Sequence, residues 1–89
     1  MQFPDDVVDD ARVRLRRVEG QIRGIQRMLD EGQDCRDVVT QLSAAKTALD
    51  RVGYRLVAAG IRYCAAHPDH AEEEGIGVDE MERLFMKLG

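Results

Sequence analysis

Residues 34–66 of the chain, DCRDVVTQLSAAKTALDRVGYRLVAAGIRYCAA, decide the fold. Apolar side chains recur in this stretch at alternating steps of three and four residues, the spacing of a helix face that packs lengthwise against its neighbours. Asp34 is a suitable N-cap, and Pro68 ends the helix because a residue that precedes proline is displaced from the α region. A helix of about 33 residues is roughly 50 Å long. A chain of 89 residues cannot bury such a helix alone, so the pattern predicts packing against other copies.

A further helix is predicted on either side of this long helix. The first covers residues 5–31, where Pro4 and the acids that follow suit a helix start and Gly32 suits a helix end. The last covers residues 78–88, after a polar turn or loop at 67–77. The chain is therefore predicted to be all-α, a three-helix protomer with a long second helix. The apolar stripe of the first helix consists of Val8, Ala11, Leu15, Val18, Ile22, Ile25 and Leu29, and that of the second includes Leu42, Ala45, Leu49, Val52, Leu56 and Ala59.

The length and composition predict a cytoplasmic protein with a single domain, residues 1–89. No run approaches the roughly 20 apolar residues that a membrane helix needs, so we expect no membrane partner. The net charge of −4 argues at face value against nucleic acid, but the charges are unevenly distributed. Residues 11–29 contain six arginines and one acid, Glu19, which predicts a basic face on an acidic protein. A solvated helix face would have the same composition, so charge alone leaves that alternative open.

The two cysteines, Cys35 and Cys64, are placed at opposite ends of the long helix. A separation of 29 residues corresponds to about 43 Å along one straight helix and leaves the two side chains only about 20° apart around its axis. One chain cannot join them, because a disulfide requires Cα atoms within about 7 Å. An antiparallel pair of long helices would instead place Cys35 of one copy beside Cys64 of the other, twice in a symmetric dimer. The alternative is that the two cysteines are unrelated, unreactive residues of the hydrophobic core.

The two thiols are expected to differ in reactivity. Cys35 lies at the N-terminus of the helix beside Arg36, which favours the thiolate, although Asp34 and Asp37 oppose it. Cys64 lies at the negative end of the helix dipole, which favours the thiol. We therefore hypothesise that Cys35 attacks an inducer first and that Cys64 of the neighbouring copy resolves the adduct.

Two runs of sequence resemble a known family. RLRRVEGQIRGIQRM at residues 14–28 and EGQDCRDVVTQLSAAKTALD at residues 31–50 resemble the first and second helices of the copper-sensitive operon repressors. The resemblance extends in order over nearly the whole chain. It implies a three-helix protomer, an antiparallel dimer with a four-helix-bundle core and a dimer-of-dimers tetramer. It also implies a repressor that leaves its operator DNA when an inducer binds.

The resemblance also implies which residues contact DNA. In this family the contacts come from basic residues of the first two helices, which carry over to Arg14, Arg16 and Arg17 on the first helix and Arg51 on the second. Glu19 departs from the pattern, because this place is basic in some relatives. Arginine contacts with phosphates position the protein on the DNA and provide much of the affinity, whereas contacts with base edges determine the sequence specificity.

The inducer depends on the residues around the cysteine pair. Copper-sensing members resemble one another in using a histidine four residues before the second cysteine, and here that position is Gly60, which has no ligand atom. The remaining pair, Cys35 and Cys64, resembles the branch that senses persulfides and other reactive sulfur species. There, sulfane sulfur is transferred to the first cysteine and the second closes a di-, tri- or tetrasulfide bridge between copies. The resemblance therefore predicts a small reactive sulfur species as the inducer and no cofactor.

Two alternatives to sulfur sensing involve the same thiols. His67 follows Cys64 at the i,i+3 spacing of metal ligands, so Cys35, Cys64 and His67 are an alternative set for Cu(I) or another soft metal. An ordinary exposed histidine is the competing interpretation of His67. A formaldehyde-sensing branch also uses the first cysteine, but it relies on an N-terminal proline amine, a role that Pro4 does not fit.

Other functional classes fit the sequence less well. An enzyme is not expected, because the sequence has no glycine-rich phosphate loop, no nucleophile elbow and no C-x-x-C redox pair. A purely structural helical adaptor would explain the apolar stripes. It would not explain the matched cysteines or the arginine cluster.

Overall fold

The computed structural model describes residues 2–69 and 77–89, which form three α-helices and no strand. The helices cover Asp5–Asp30 (α1), Cys35–Ala66 (α2) and Val78–Leu88 (α3). The prediction of an all-α protomer with a long second helix is therefore confirmed. Most of the predicted loop at 67–77 lies outside the described residues, and the loop prediction is wrong at residues 68–69, which are helical. No helix within the described ranges is long and apolar enough to cross a membrane.

A tight turn at residues 31–34 joins α1 to α2 and makes the two helices antiparallel. Gly32 adopts a φ of 67°, the left-handed conformation that glycine tolerates best, and its N–H donates to the Leu29 carbonyl at 3.2 Å. Asp34 caps α2 by accepting a hydrogen bond from the Arg36 N–H at 2.8 Å. The predicted N-cap is therefore in place, and α1 lies alongside α2.

Each apolar stripe contains two rows, and only one of them is buried within the chain. Val18 and Ile25 of α1 are less than 10% exposed, as are Ala45, Val52 and Ala59 of α2, which are spaced seven residues apart. The second row, which we call the outer row, is between 38% and 63% exposed. Five exposed large apolar side chains in one row are typical of a surface that packs against other protein. The outer row consists of Leu15, Ile22 and Leu29 on α1 and Leu42 and Leu49 on α2.

α3 packs against α2 at two glycines. A Cβ atom on Gly53 would lie 2.9 Å from Leu88 Cδ2, and one on Gly60 would lie 2.5 Å from Met81 Cε. Gly60 packs against Met81, and Gly53, seven residues earlier, packs against Leu88, seven residues later. α3 therefore runs antiparallel to α2. The rings of Tyr54 and Phe85 add a contact with a centroid separation of 5.5 Å. Within the described part of the chain, α3 packs on α2 and not on α1.

Candidate functional site

The two cysteines occupy the two ends of α2. Cys35 is its first residue and is exposed, whereas Cys64 lies two residues before its end and is 3% exposed. The structure has both as thiols and not as a disulfide. About 43 Å of helix separates them, so one chain does not bring them together. A site that uses both thiols therefore requires Cys35 from a second copy.

Cys64 lies in an apolar cluster between α2 and α3. Its buried neighbours are Val57 of α2 and Met81 of α3, and Leu84 packs against the same cluster. Burial in apolar surroundings keeps water and dissolved reagents away from the thiol. The two cysteines therefore differ in access as well as in position, with the exposed thiol at the start of α2.

His67 lies just beyond the end of α2 and is exposed. Its imidazole ring stacks on the ring of Tyr63 with a centroid separation of 4.9 Å and an interplanar angle of 27°. Among the described residues, no group of three or more His, Cys, Asp or Glu side chains is placed to hold a metal ion within one chain. A metal site with Cys35, Cys64 and His67 would likewise need two copies.

Three of the four arginines expected to contact DNA line one groove between α1 and α2. This arginine groove has a volume of about 310 Å³ and is lined by Arg14, Arg17, Gln21, Ala48 and Arg51. The helical spacing explains the grouping, because positions 14, 17 and 21 lie on one face of α1 and the antiparallel α2 brings position 51 alongside. Within the described residues, Arg17 and Arg51 have no ion-pair or hydrogen-bond partner. Their guanidinium groups are available for phosphate oxygens.

Arg16, the fourth candidate, is exposed and does not line the groove. Glu19 points its carboxylate at Arg23, which donates a hydrogen bond to it at 3.1 Å, and both side chains are well exposed. The acid that departs from the family pattern is therefore paired along its own helix. An exposed pair of this kind contributes little to stability.

Asp10 connects α1 to α2 beside the arginine groove. Arg14 Nε donates to both carboxylate oxygens at 3.1 and 3.2 Å, and Arg55 Nε of α2 donates to one of them at 3.1 Å. The hydrogen bond from Arg14 has the largest effect and, with that from Arg55, holds the pKa of Asp10 below its ordinary value of 3.8, although desolvation acts to raise it. Asp10 thus holds Arg14 at the edge of the groove.

The Asp10→Asn variant is expected to unfold at a slightly lower temperature than the wild type at pH 7. Folding lowers the pKa of the Asp10 carboxyl group, so its charged form stabilises the folded protein at pH values above 3.8, the ordinary pKa. This stabilisation is lost as the pH falls through the lower pKa of the folded state. The difference in thermal midpoint should therefore shrink below pH 3.8. Asp9→Asn is the control, because Asp9 is exposed and has no ion pair in the described part of the chain. Equal effects of the two variants would contradict this role of Asp10.

Sequence reasoning missed two residues next to the predicted sites. Gln21 lines the arginine groove, and its Oε1 atom is buried without a hydrogen-bond partner among the described residues. Its position four residues after Arg17 was a usable signal. Met81 belongs to the same buried cluster as Cys64, and the sequence contains no signal for this packing, since it depends on how α3 docks on α2.

The comparisons with known proteins agree on one family. A family model described as metal-sensitive transcriptional repressor matches residues 8–87. The copper-sensing transcriptional repressor RicR of Mycobacterium tuberculosis (strain ATCC 25618 / H37Rv) is 44% identical over 71 residues, which are 80% of this chain and 72% of that protein. The copper-sensing transcriptional repressor CsoR of Bacillus subtilis (strain 168) is 32% identical over 80 residues, 90% of this chain and 79% of that protein.

A solved structure has the same fold. The crystal structure of the copper-sensing repressor CsoR with Cu(I) from Geobacillus thermodenitrificans NG80-2 matches with a TM-score of 0.71 and 31% sequence identity. The match covers 99% of this chain and 88% of that one. These relatives are copper sensors by name, which favours the soft-metal alternative over the predicted sulfur sensing.

Proposed function

This chain belongs to the family of metal-sensitive transcriptional repressors, and we propose that it binds operator DNA through the arginine groove and leaves it when a soft inducer engages Cys35 of one copy and Cys64 of another. The observation that carries this proposal is the meeting of Arg14, Arg17 and Arg51 in one groove. An overall acidic chain would otherwise repel DNA, so its basic side chains must act from one concentrated surface.

The proposed assembly is an antiparallel dimer through α2, and two dimers form a tetramer. Its support is the exposed outer row, which a second copy would cover, and the placement of the two thiols at opposite ends of α2. In such a dimer Cys64 of each copy lies beside Cys35 of the other copy, so the dimer has two equivalent sites.

Cu(I) is the inducer that the comparisons favour. Two cysteine thiolates, with a third soft ligand, suit Cu(I), which prefers sulfur to oxygen ligands. Bound there, the metal would be held by one thiolate from each of two copies and would link them. Cys35, at the exposed N-terminus of α2, would be drawn towards the buried Cys64, and the ends of the two helices would be fixed together. Because α2 also bears Arg51, such a movement would alter the spacing of arginine grooves across the assembly.

A reactive sulfur species is the second candidate inducer. The observation in its favour is Gly60, since the position four residues before Cys64 lacks the histidine that copper-sensing members use. In this case the Cys35 thiolate would attack a polysulfide and take up one or more of its sulfur atoms, and a shorter polysulfide or hydrosulfide would leave. The Cys64 thiolate of the other copy would then attack the sulfur chain on Cys35 and expel hydrosulfide, which gives a disulfide bridge from a persulfide and a tri- or tetrasulfide bridge from a longer chain.

Native mass spectrometry of the reduced protein distinguishes these candidates, and fluorescence anisotropy tests DNA binding itself. The chain should bind the DNA upstream of its own gene more tightly than a scrambled duplex of equal length. Anaerobic Cu(I) should give a non-covalent complex that denaturation separates, whereas a sodium polysulfide should give covalent dimers with added sulfur atoms if that candidate is right. Equal affinity for both duplexes would contradict the assignment as a repressor.

A further inference from the structure

The side chain of Met81 lies directly against Gly60, one helical turn before Cys64. A Cβ atom at position 60 would lie 2.9 Å from Met81 Sδ and 2.5 Å from Met81 Cε. Met81 is 3% exposed, so its sulfur is enclosed between α3 and α2. The thioether therefore fills the space into which a side chain at position 60 would extend.

The same thioether belongs to the cluster that contains the buried thiol. Cys64 and Met81 are packed in one group with Val57, and Leu84 lies against it. Positions 60 and 64 are four residues apart, and thus on the same face of α2. The sulfur that lies over Gly60 consequently lies on the side of α2 that Cys64 presents to α3.

Two sulfur atoms in an apolar setting have a restricted chemistry. Thiolate and thioether ligands select soft ions such as Cu(I), whereas harder ions such as Mg²⁺ and Ca²⁺ require oxygen. The other members of this cluster, Val57 and Leu84, offer no oxygen or nitrogen ligand from their side chains. A site of this composition takes a soft monovalent metal and excludes water from it.

We propose that Met81 is a metal ligand, and that its thioether completes a three-sulfur Cu(I) site with Cys64 and with Cys35 of a second copy. This inference rests on the proposed function, since that proposal brings the second cysteine to Cys64. Each thiol gives up its proton to solvent when it binds Cu(I), and the thioether has no proton to lose. The sulfur of α3 thus takes the place of the nitrogen ligand that Gly60 cannot supply, and α3 becomes part of the sensor.

Selenium labelling tests this ligand directly. The protein is prepared with selenomethionine, loaded anaerobically with one equivalent of Cu(I), and examined by X-ray absorption at the copper edge. A copper–selenium distance of bonding length is expected in the wild type and in Met86→Leu, whose altered residue is 73% exposed on the same helix. It should disappear in Met81→Leu, and competition with a chromogenic chelator should show Cu(I) affinity about tenfold lower in that variant.

A second variant separates loss of a ligand from damage to the fold. Met81→Ala opens the space over Gly60, so the double variant with Gly60→His can place an imidazole there. We expect the double variant to bind Cu(I) more tightly than Met81→Ala alone, with a copper–nitrogen contact in its spectrum. Circular dichroism checks that the helices of each variant are intact.

The outcomes distinguish this inference from the proposed function. Tight Cu(I) binding that needs both cysteines, without a copper–selenium contact in the wild type, would overturn the role of Met81 and leave the cysteine site standing. Cu(I) binding that does not depend on Cys35 and Cys64 would overturn both proposals.

Discussion

The Cys35→Ser variant is expected to stay on operator DNA when Cu(I) is added, whereas the wild type loses about 10²-fold in affinity. Cys35 is exposed at the start of α2, so serine removes a soft ligand and leaves the core untouched. Fluorescence anisotropy of labelled operator DNA, titrated with and without one equivalent of Cu(I), measures the change. Thr47→Ser is the matched control, because Thr47 is an exposed residue of the same helix and should respond as the wild type does.

A mixture of two defective variants tests the cross-subunit arrangement. Cys35→Ser and Cys64→Ser should each bind no Cu(I) tightly as pure proteins. A mixed dimer has one site with both cysteines and one site with neither, so it should bind about one Cu(I) instead of two. Native mass spectrometry after the variants are unfolded and refolded together counts the metal. Mixed dimers without bound Cu(I) would show that the two thiols do not act across copies.

The Arg51→Glu variant is expected to bind operator DNA about 10²-fold more weakly, because in the proposed complex it removes a positive charge from the arginine groove and places a negative charge beside the DNA phosphates. Arg51 is exposed in the arginine groove, and no ion pair within the described residues occupies it. Arg51→Ala should have a smaller effect. It should also reduce the slope of log affinity against log salt concentration by about 0.9, the value expected when one phosphate is no longer neutralised.

Arg83→Glu is the matched control for this charge reversal. Arg83 lies on α3, away from the groove, and pairs with Glu80 at 3.3 Å. Its reversal alters the net charge of the chain as much as Arg51→Glu does. Equal loss of affinity in the two variants would show that the total charge, and not the groove, governs DNA binding.

The sequence was sufficient to predict the helices, because their signals are local. The cap at Asp34, the glycine at position 32 and the apolar spacing each act within one or two turns of the chain. The same spacing did not distinguish the buried row from the outer row, because both rows have the a/d pattern of a packed helix. The packing of the helices decides which row is buried, and in α2 that row is Ala45, Val52 and Ala59.

The candidate sites were predictable to different degrees. The arginine groove follows from spacing along α1 together with an antiparallel α2, and Arg16, also predicted to contact DNA, does not line it. The surroundings of Cys64 were not predictable, because they depend on the register of α3 against α2. Gly60 illustrates the difficulty, since the sequence shows only a position without a ligand atom, whereas the structure shows the Met81 side chain packed over that position.

In the proposed mechanism, a soft metal bound at the cysteine pair lowers the affinity of this repressor for operator DNA. The most direct test is the affinity of the fully reduced wild-type protein for its own upstream DNA, measured anaerobically by fluorescence anisotropy before and after one equivalent of Cu(I) per chain. We predict specific binding before addition and a loss of about 10²-fold after it, reversed by a Cu(I) chelator. Unchanged or tighter DNA binding after Cu(I) has occupied the protein would contradict this mechanism.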